Sequence, residues 1–267
     1  MVLGRLVEVV SGQAFHDVLR ERLIEPLRID EVATDADEAV LHRTAVGHGA
    51  DATPVTRWAV AYGTAPSGSH FAISARQLME FVRLHLDEPA LAAMRDDQGV
   101  EVPDFGNGAV GWGLGYMRYR GGVVGHTGVS KGQKAFLRVD AERKRAVAVL
   151  TNSVNSERLA HDVIDELMGK EPLPVPPEKP EPVDPRTMCG TYRDQLHDIT
   201  LTTENGHGVL IYRPRTEMGV GRRVPVVRYG DNSIIATTPT ADGYQVYSLL
   251  GDGRYLHNGA AAWRVTP

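Results

Sequence analysis

Few residue patterns in this chain have the types and spacing that chemistry requires. Gly128-Val129-Ser130-Lys131-Gly132 fits Gly-x-Ser-x-Gly, the elbow that presents a nucleophilic serine. That elbow needs a strand before the serine and a helix after it, so that helix N-terminal amides lie beneath the hydroxyl. Here Lys134 to Asp140 alternates like a strand instead. A triad would also need an acid and then a histidine downstream. Of His161, His197, His207 and His257, the first falls on a helix rather than on a loop after a final strand. An esterase using Ser130 is therefore an alternative reading, not the leading one. Just before it, Val124-Gly125-His126-Thr127-Gly128 places a polar pair inside a strand-forming stretch; taken alone, His126 reads as a partly exposed strand histidine. Ser153-Val154-Asn155 sits at a strand-to-helix junction, where capping of the following helix explains it.

Metal and nucleotide chemistry find little support. None of the ten histidines forms His-x-His or His-Glu-x-x-His, the nearest pair being His42 and His48, and the single Cys189 cannot make a thiolate site. Gly111-Trp112-Gly113-Leu114-Gly115 has the wrong spacing for a dinucleotide fingerprint, and no Walker loop occurs. No metal or cofactor is expected.

The elements that must position these residues come next. At 267 residues with 42% hydrophobic and 24% charged side chains, the composition is that of an ordinary globular protein with room for one large domain or two modest ones. No apolar run approaches the roughly 20 residues that a membrane span needs. A net charge of -5 gives no reason to expect nucleic acid, and the local cluster Arg213, Arg215, Arg222 and Arg223 reads as a solvated hairpin face. One cysteine excludes an internal disulfide.

Residues 171–185 hold seven of the 16 prolines and are read as an interdomain linker. Before them, Leu3, Leu6, Val7 and Val10 predict a helix over 2–10 with no capping residue in front of it. A second helix runs from Ala14 to about Ile24, stopping before Pro26. A third starts at Ser74, with Gln77 closing a capping box and Leu78, Phe81, Val82 and Leu86 forming the apolar face. Paired strands follow over 121–140, with a polar turn from Asp140 to Lys144 and a further strand over 146–151. Asn155 or Ser156 then caps a helix with a buried stripe of Leu159, Val163, Ile164 and Leu167. Residues 186–267 show about eight short β-rich runs, among them 199–202, 209–212, 233–237 and 245–249. Glu204-Asn205-Gly206, Gly230-Asp231-Asn232, Ala241-Asp242-Gly243 and Gly251-Asp252-Gly253 supply positive φ at the turns between them, which predicts a small antiparallel barrel or sandwich.

Six segments in order carry a resemblance. They are Leu3 to Gln13, Pro26-Leu27, Ile73 to Leu78, Gly111 to Gly115, Gly125-His126-Thr127-Gly128 and Val149-Leu150-Thr151-Asn152. Together they resemble the serine β-lactamase-like and penicillin-binding protein family, which includes class C β-lactamases, D-alanyl-D-alanine carboxypeptidases and related esterases. The resemblance implies an α+β fold: a partial β-lactamase-like domain over 1–170, with an antiparallel sheet and helices. Residues 186–267 resemble the small lipocalin-like barrel that some members carry, on the strength of Cys189-Gly190-Thr191-Tyr192 and the run from Tyr255 to Trp263.

In that family a serine of Ser-x-x-Lys attacks an amide or ester carbonyl, and a Tyr-x-Asn motif follows it. By resemblance, His126, Thr127 and Gly128 line the acyl-transfer site and the Val129 N–H is one of two oxyanion donors. None of the nine serines here has lysine three residues later, and no tyrosine is followed by asparagine two positions on. The expectation is a serine hydrolase whose nucleophile lies upstream of Met1, acting on a small-molecule or peptide substrate when complete and inactive alone. The alternative is a non-catalytic binding protein on the same scaffold. The strands near 146–151 are expected to leave an unpaired edge or uncovered apolar face, favouring oligomers.

Overall fold

The computed structural model describes all residues except 61, 101, 102, 105, 172, 218, 241, 242, 266 and 267. The chain forms two compact units, one of residues 1–98 and 112–170, the other of residues 99–111 and 171–267. Segment 99–111 thus groups with the second unit and not with its sequence neighbours, which no local pattern announces.

The first unit is built on a sheet in the order β3 (Gly111–Trp112), β4 (Met117–Arg118), β5 (Val124–Ser130), β6 (Gln133–Asp140) and β7 (Arg145–Thr151). β5, β6 and β7 pair antiparallel along their whole lengths, with Phe136 opposite Thr127 on one side and Val149 on the other. Both faces of β6 are covered. Val139 and Leu137 meet Val82, Met79 and Leu86 of α4 (Ala75–Asp87), whereas Phe136 meets Ala160 and Ile164 of α5 (Glu157–Met168). Burial on two faces explains why Arg138, in the same alternation, is fully buried; its guanidinium stacks 3.6 Å from the Tyr119 ring centroid. β7 lies at the end of the sheet order, and among the described residues no strand pairs with its outer edge.

Ahead of the sheet lie α1 (Val2–Ser11) and α2 (Phe15–Leu19), the latter continuing as a wider π-turn over Arg20–Ile24. A short strand pair, β1 (Val32–Ala33) with β2 (Ala72–Ile73), packs beside Ile24 and Ile29, and α3 (Ala36–Leu41) is capped by the Asp35 side chain. α1 has no side-chain cap, and its apolar residues Val2, Leu3, Leu6, Val9 and Val10 are all exposed.

Several local expectations change. Ser74 does cap α4 by accepting from the Gln77 N–H at 3.3 Å, but among the described residues Gln77 Oε1 is buried without a partner, so the reciprocal half of the capping box is not made. Neither Asn155 nor Ser156 caps α5 through its side chain. Ser156 Oγ is engaged with Thr151 Oγ1 at 2.6 Å and the Ser153 carbonyl at 2.9 Å, and Asn155 Nδ2 donates to the Ala50 carbonyl at 2.8 Å. Leu159 and Leu167 are exposed, and the buried face of α5 is Ala160, His161 and Ile164. The helix is rotated by about one position because Glu157 and His161 turn inward toward Lys134.

The second unit holds a closed eight-stranded antiparallel barrel: β8 (Gly190–Arg193), β9 (His197–Glu204), β10 (His207–Pro214), β11 (Arg222–Gly230), β12 (Ser233–Ala236), β13 (Val246–Leu250), β14 (Tyr255–His257) and β15 (Ala261–Arg264). Closure comes from β15 pairing back onto β8. Its interior is filled by Tyr192, Leu201, Leu210, Val226, Ile234, Tyr247 and Leu256, each at most 2% exposed, so side chains occupy the place of a lumen. Asn205 and Gly206 both take positive φ, the hairpin geometry their sequence implies, as do all three residues of Gly251-Asp252-Gly253. Gly230-Asp231-Asn232 does not; a register shift between Arg228 and Gly230 reshapes that hairpin instead. Ala241 and Asp242 lie outside the described residues. The proline-rich stretch ends inside this unit, where Val183 is buried in the barrel core and Glu181 bridges to Arg228.

Candidate functional site

β5 carries the polar residues singled out in the sequence, and glycine chemistry decides how closely it can lie to its neighbour. A Cβ on Gly125 would stand 1.9 Å from the Leu137 carbonyl oxygen, so only glycine fits there; at Gly128 the nearest atom would be an ordinary 3.7 Å away.

Polar groups of an antiparallel strand point alternately to its two neighbours. The Tyr119 N–H donates to the Val123 carbonyl at 2.8 Å, which fixes the alternation: Gly125, Thr127 and Val129 present their backbone groups toward β4, whereas Val124, His126, Gly128 and Ser130 present theirs to β6. β4 ends at Met117, opposite Gly125. Among the described residues no strand therefore pairs with Thr127 or Val129 on that side, and their N–H and C=O groups face outward.

The side chains follow the same parity. His126 is exposed on the α4 side of the sheet, its ring edge-on to Trp112 with centroids 5.9 Å apart. His126 Nδ1 lies 2.6 Å from the Thr127 carbonyl. A carbonyl only accepts, so in this contact Nδ1 is the donor. Thr127 Oγ1 approaches Met117 Sδ at 4.0 Å, and Val129 is 73% exposed.

This edge borders an open cavity of about 1530 Å³ within the first unit, walled by Leu19, Ile29, Leu78, Phe81, Leu150 and the stretch Thr127–Lys131. Leu78 and Phe81, expected to complete the buried face of α4, line the cavity instead. The serines on its wall are otherwise employed: Ser67 and Ser69 donate to the Thr64 carbonyl at 2.7 and 3.0 Å, and Ser74 caps α4. Ser130 ends β5 and is followed by a two-residue turn into β6, so the helix that a nucleophile elbow requires is missing.

Three groupings escaped the sequence reading. Lys134, opposite Val129 in the register, ion-pairs with Glu157 at 2.9 Å, and His161 Nε2 lies 3.7 Å from the same carboxylate. Burial pushes the Glu157 carboxyl up, but hydrogen bonds from His161 and Lys134 outweigh it and hold the group below the usual carboxylate range. The i,i+4 spacing of Glu157 and His161 was the available signal. Second, His48 Nδ1 lies 3.0 Å from the Asn152 carbonyl, and the His48 N–H bonds the Gly132 carbonyl at 3.0 Å, tying the 47–48 segment to the β5–β6 turn and the end of β7. A contact over such a separation leaves no local trace. Third, Tyr116 is buried edge-on to His85, and burial pushes its phenol up to about 12, so it remains protonated at neutral pH. Among the described residues no group of three or more His, Cys, Asp or Glu side chains is placed to hold a metal ion, and no helix is long and apolar enough to cross a membrane.

A family model described as Beta-lactamase matches residues 1–167. The chain belongs to the Beta-lactamase family. Within it, the chain is similar to penicillin-binding protein 4 of Amycolatopsis lactamdurans, at 32% identity over 216 residues, which is 72% of this chain and 57% of that relative. Among solved structures it is similar to SurE, with a TM-score of 0.71 and 23% identity, covering 99% of this chain and 66% of the other. The structure of SurE with D-Leu gives a TM-score of 0.68 and 24% identity, over 99% and 65%. At such identity these two speak for the fold. The chain spans less than two thirds of the length of these relatives.

Proposed function

We propose that residues 1–170 are the later portion of a serine hydrolase domain that cleaves an amide or ester through an acyl-serine, and that its nucleophile comes from chain preceding Met1 in a longer protein. In this reading residues 171–185 are a linker and 186–267 an accessory barrel. His126, Thr127 and Gly128 face the substrate. The Val129 N–H donates to the oxyanion as the serine Oγ adds to the carbonyl carbon. The serine proton passes to a neighbouring base, the C–N or C–O bond breaks, and water then releases the acyl group. Residues 1–267 alone are inactive.

The observation that carries this reading is the open edge of β5, with the backbone groups of Thr127 and Val129 pointing outward beside a cavity on whose wall Ser67, Ser69 and Ser74 are held by bonds of their own and Ser130 lacks the helix an elbow needs. The exposed apolar face of α1 supports it too, since such a surface on a helix asks for a cover. Family membership and the 57% coverage of a penicillin-binding protein point the same way. A fluorophosphonate and a fluorescent penicillin test it. Neither should label residues 1–267 covalently, whereas a longer reading frame carrying Ser-x-x-Lys should be labelled on that serine. Stoichiometric labelling of residues 1–267 would overturn the proposal.

A further inference from the structure

We propose that the outer wall of the barrel at β8, β14 and β15 is a binding platform for an acidic polysaccharide. Strand alternation puts Tyr192, Leu256 and Ala262 inside the barrel, so their neighbours Arg193, Tyr255 and Trp263 point out. These outward residues are direct cross-strand partners: Tyr255 pairs with Trp263, and Trp263 with Arg193. Their side chains stand side by side at strand spacing, about 5 Å between Cβ atoms. Tyr255 is 43% and Trp263 46% exposed, whereas Tyr192, Tyr212 and Tyr247 of the same barrel are buried. Two large aromatic rings left in water next to one another form a ledge, not a pocket.

The row continues from Arg193 to Asp198 and Arg213. Arg193 grips Asp198 in fork geometry, Nε to Oδ1 at 2.7 Å and Nη2 to Oδ2 at 3.3 Å, and Arg215 Nε approaches the same carboxylate at 3.6 Å. At the other end the Arg254 guanidinium and the Tyr255 ring both border Gly251, with Asp252 in the same turn. Four guanidiniums thus flank the rings against three carboxylates, those of Asp198, Asp252 and Asp194, the last accepting from the Leu196 and His197 N–H groups, on a chain whose net charge is -5.

This chemistry selects its occupant. The C–H face of a pyranose ring lies flat on an aromatic ring, and an Arg–Asp pair offers hydroxyls both donors and acceptors. The surplus guanidiniums take up carboxylates, which they recognise in bidentate geometry. A nucleic acid would ask for a run of uncommitted cations along its phosphates; here Arg193 and Arg215 are held by a carboxylate in the middle of the patch.

The test is affinity electrophoresis of residues 1–267 through gels containing polygalacturonate, dextran or oligothymidylate, with tryptophan fluorescence as a second readout. Polygalacturonate should retard the protein more than dextran, and Trp263→Ala and Tyr255→Ser should each weaken that retardation roughly tenfold, as loss of an aromatic anchor does. Both side chains point outward, so both variants should melt like the parent chain. No retardation by polygalacturonate, equal retardation by dextran, or retardation unchanged in both variants would overturn the proposal. So would stronger retention by oligothymidylate that the same variants abolish, which would make the patch a nucleic-acid site.

Discussion

Replacing Lys134 by methionine keeps an unbranched apolar stem on β6 but leaves the Glu157 carboxylate without its cation. The side chains of the pair are only 6% and 20% exposed, so water cannot easily take the place of the ammonium group. Removing one member of a buried ion pair costs about 3–5 kcal/mol. His161 still faces Glu157, at 3.7 Å, and the carboxylate keeps some solvent, which places the loss near the lower bound, about 3 kcal/mol. For a protein of this size each kcal/mol lowers the midpoint by about 2–4 °C, so Lys134→Met should unfold roughly 6–12 °C earlier. The double variant Lys134→Met/Glu157→Leu removes both charges and should regain most of that loss. The sign with pH follows. In the parent chain the Glu157 carboxyl is held below its ordinary value, so its stabilisation is present above about pH 4.5 and lost as the pH falls through the lower folded value. In the single variant the stranded carboxylate protonates more readily, so the deficit against the parent chain should shrink under acid. Thermal melts of the four members of the double-mutant cycle at neutral and acidic pH provide the measurement. A single variant melting within a degree of the parent, or a double variant no better than the single, would refute the reasoning.

Three other outcomes are expected. Gly125→Ala should cost about 3 kcal/mol or more by urea denaturation, because its methyl would overlap the Leu137 carbonyl, whereas Gly128→Ala should be mild. His85 is buried, and burial together with Arg95 pushes its imidazole below the ordinary value of 6.5. The unfolded chain therefore takes up a proton that the folded one refuses, and stability falls as pH drops below 6.5; in His85→Phe the loss of melting temperature between pH 7 and pH 5 should be smaller. Val129→Pro removes an N–H that faces away from β6, a position where an edge strand tolerates proline, so the fold should survive. In a longer, active parent the same change should lower the acylation rate about 10²–10³-fold, the effect of losing one oxyanion donor.

Much of this fold is written in local pattern. The strands from 124 to 151 and the barrel strands show two-residue alternation, and Asn205-Gly206 and Gly251-Asp252-Gly253 announce their turns by requiring positive φ. What went unread depends on neighbours remote in sequence. Leu159 and Leu167 have the spacing of a buried stripe, but the ion pair reaching from Lys134 draws Glu157 and His161 inward and turns the leucines to solvent. Arg138 looks like a solvent-facing residue of an alternating strand, and it is buried because helices cover both sheet faces. At the candidate site, His126 to Val129 were legible as a motif. Their outward-facing backbone follows from where β4 stops, a property of the pairing partner and not of β5 itself.

The excursion of residues 99–111 into the second unit changes how this polypeptide can be made and divided. The ribosome delivers that segment before β4 to β7 exist and well before the barrel that receives it, including Ser248, whose hydroxyl donates to the Asp104 carbonyl at 2.6 Å. The barrel can finish only after the whole chain has emerged. Cutting at the proline-rich stretch, the obvious place for a gene fusion or a protease, would separate the barrel from a segment of its own unit: the back piece would keep its closed wall but lose the Asp104 carbonyl that the Ser248 hydroxyl bonds. A boundary that respects the second unit must carry residues 99–111 as well as 171–267.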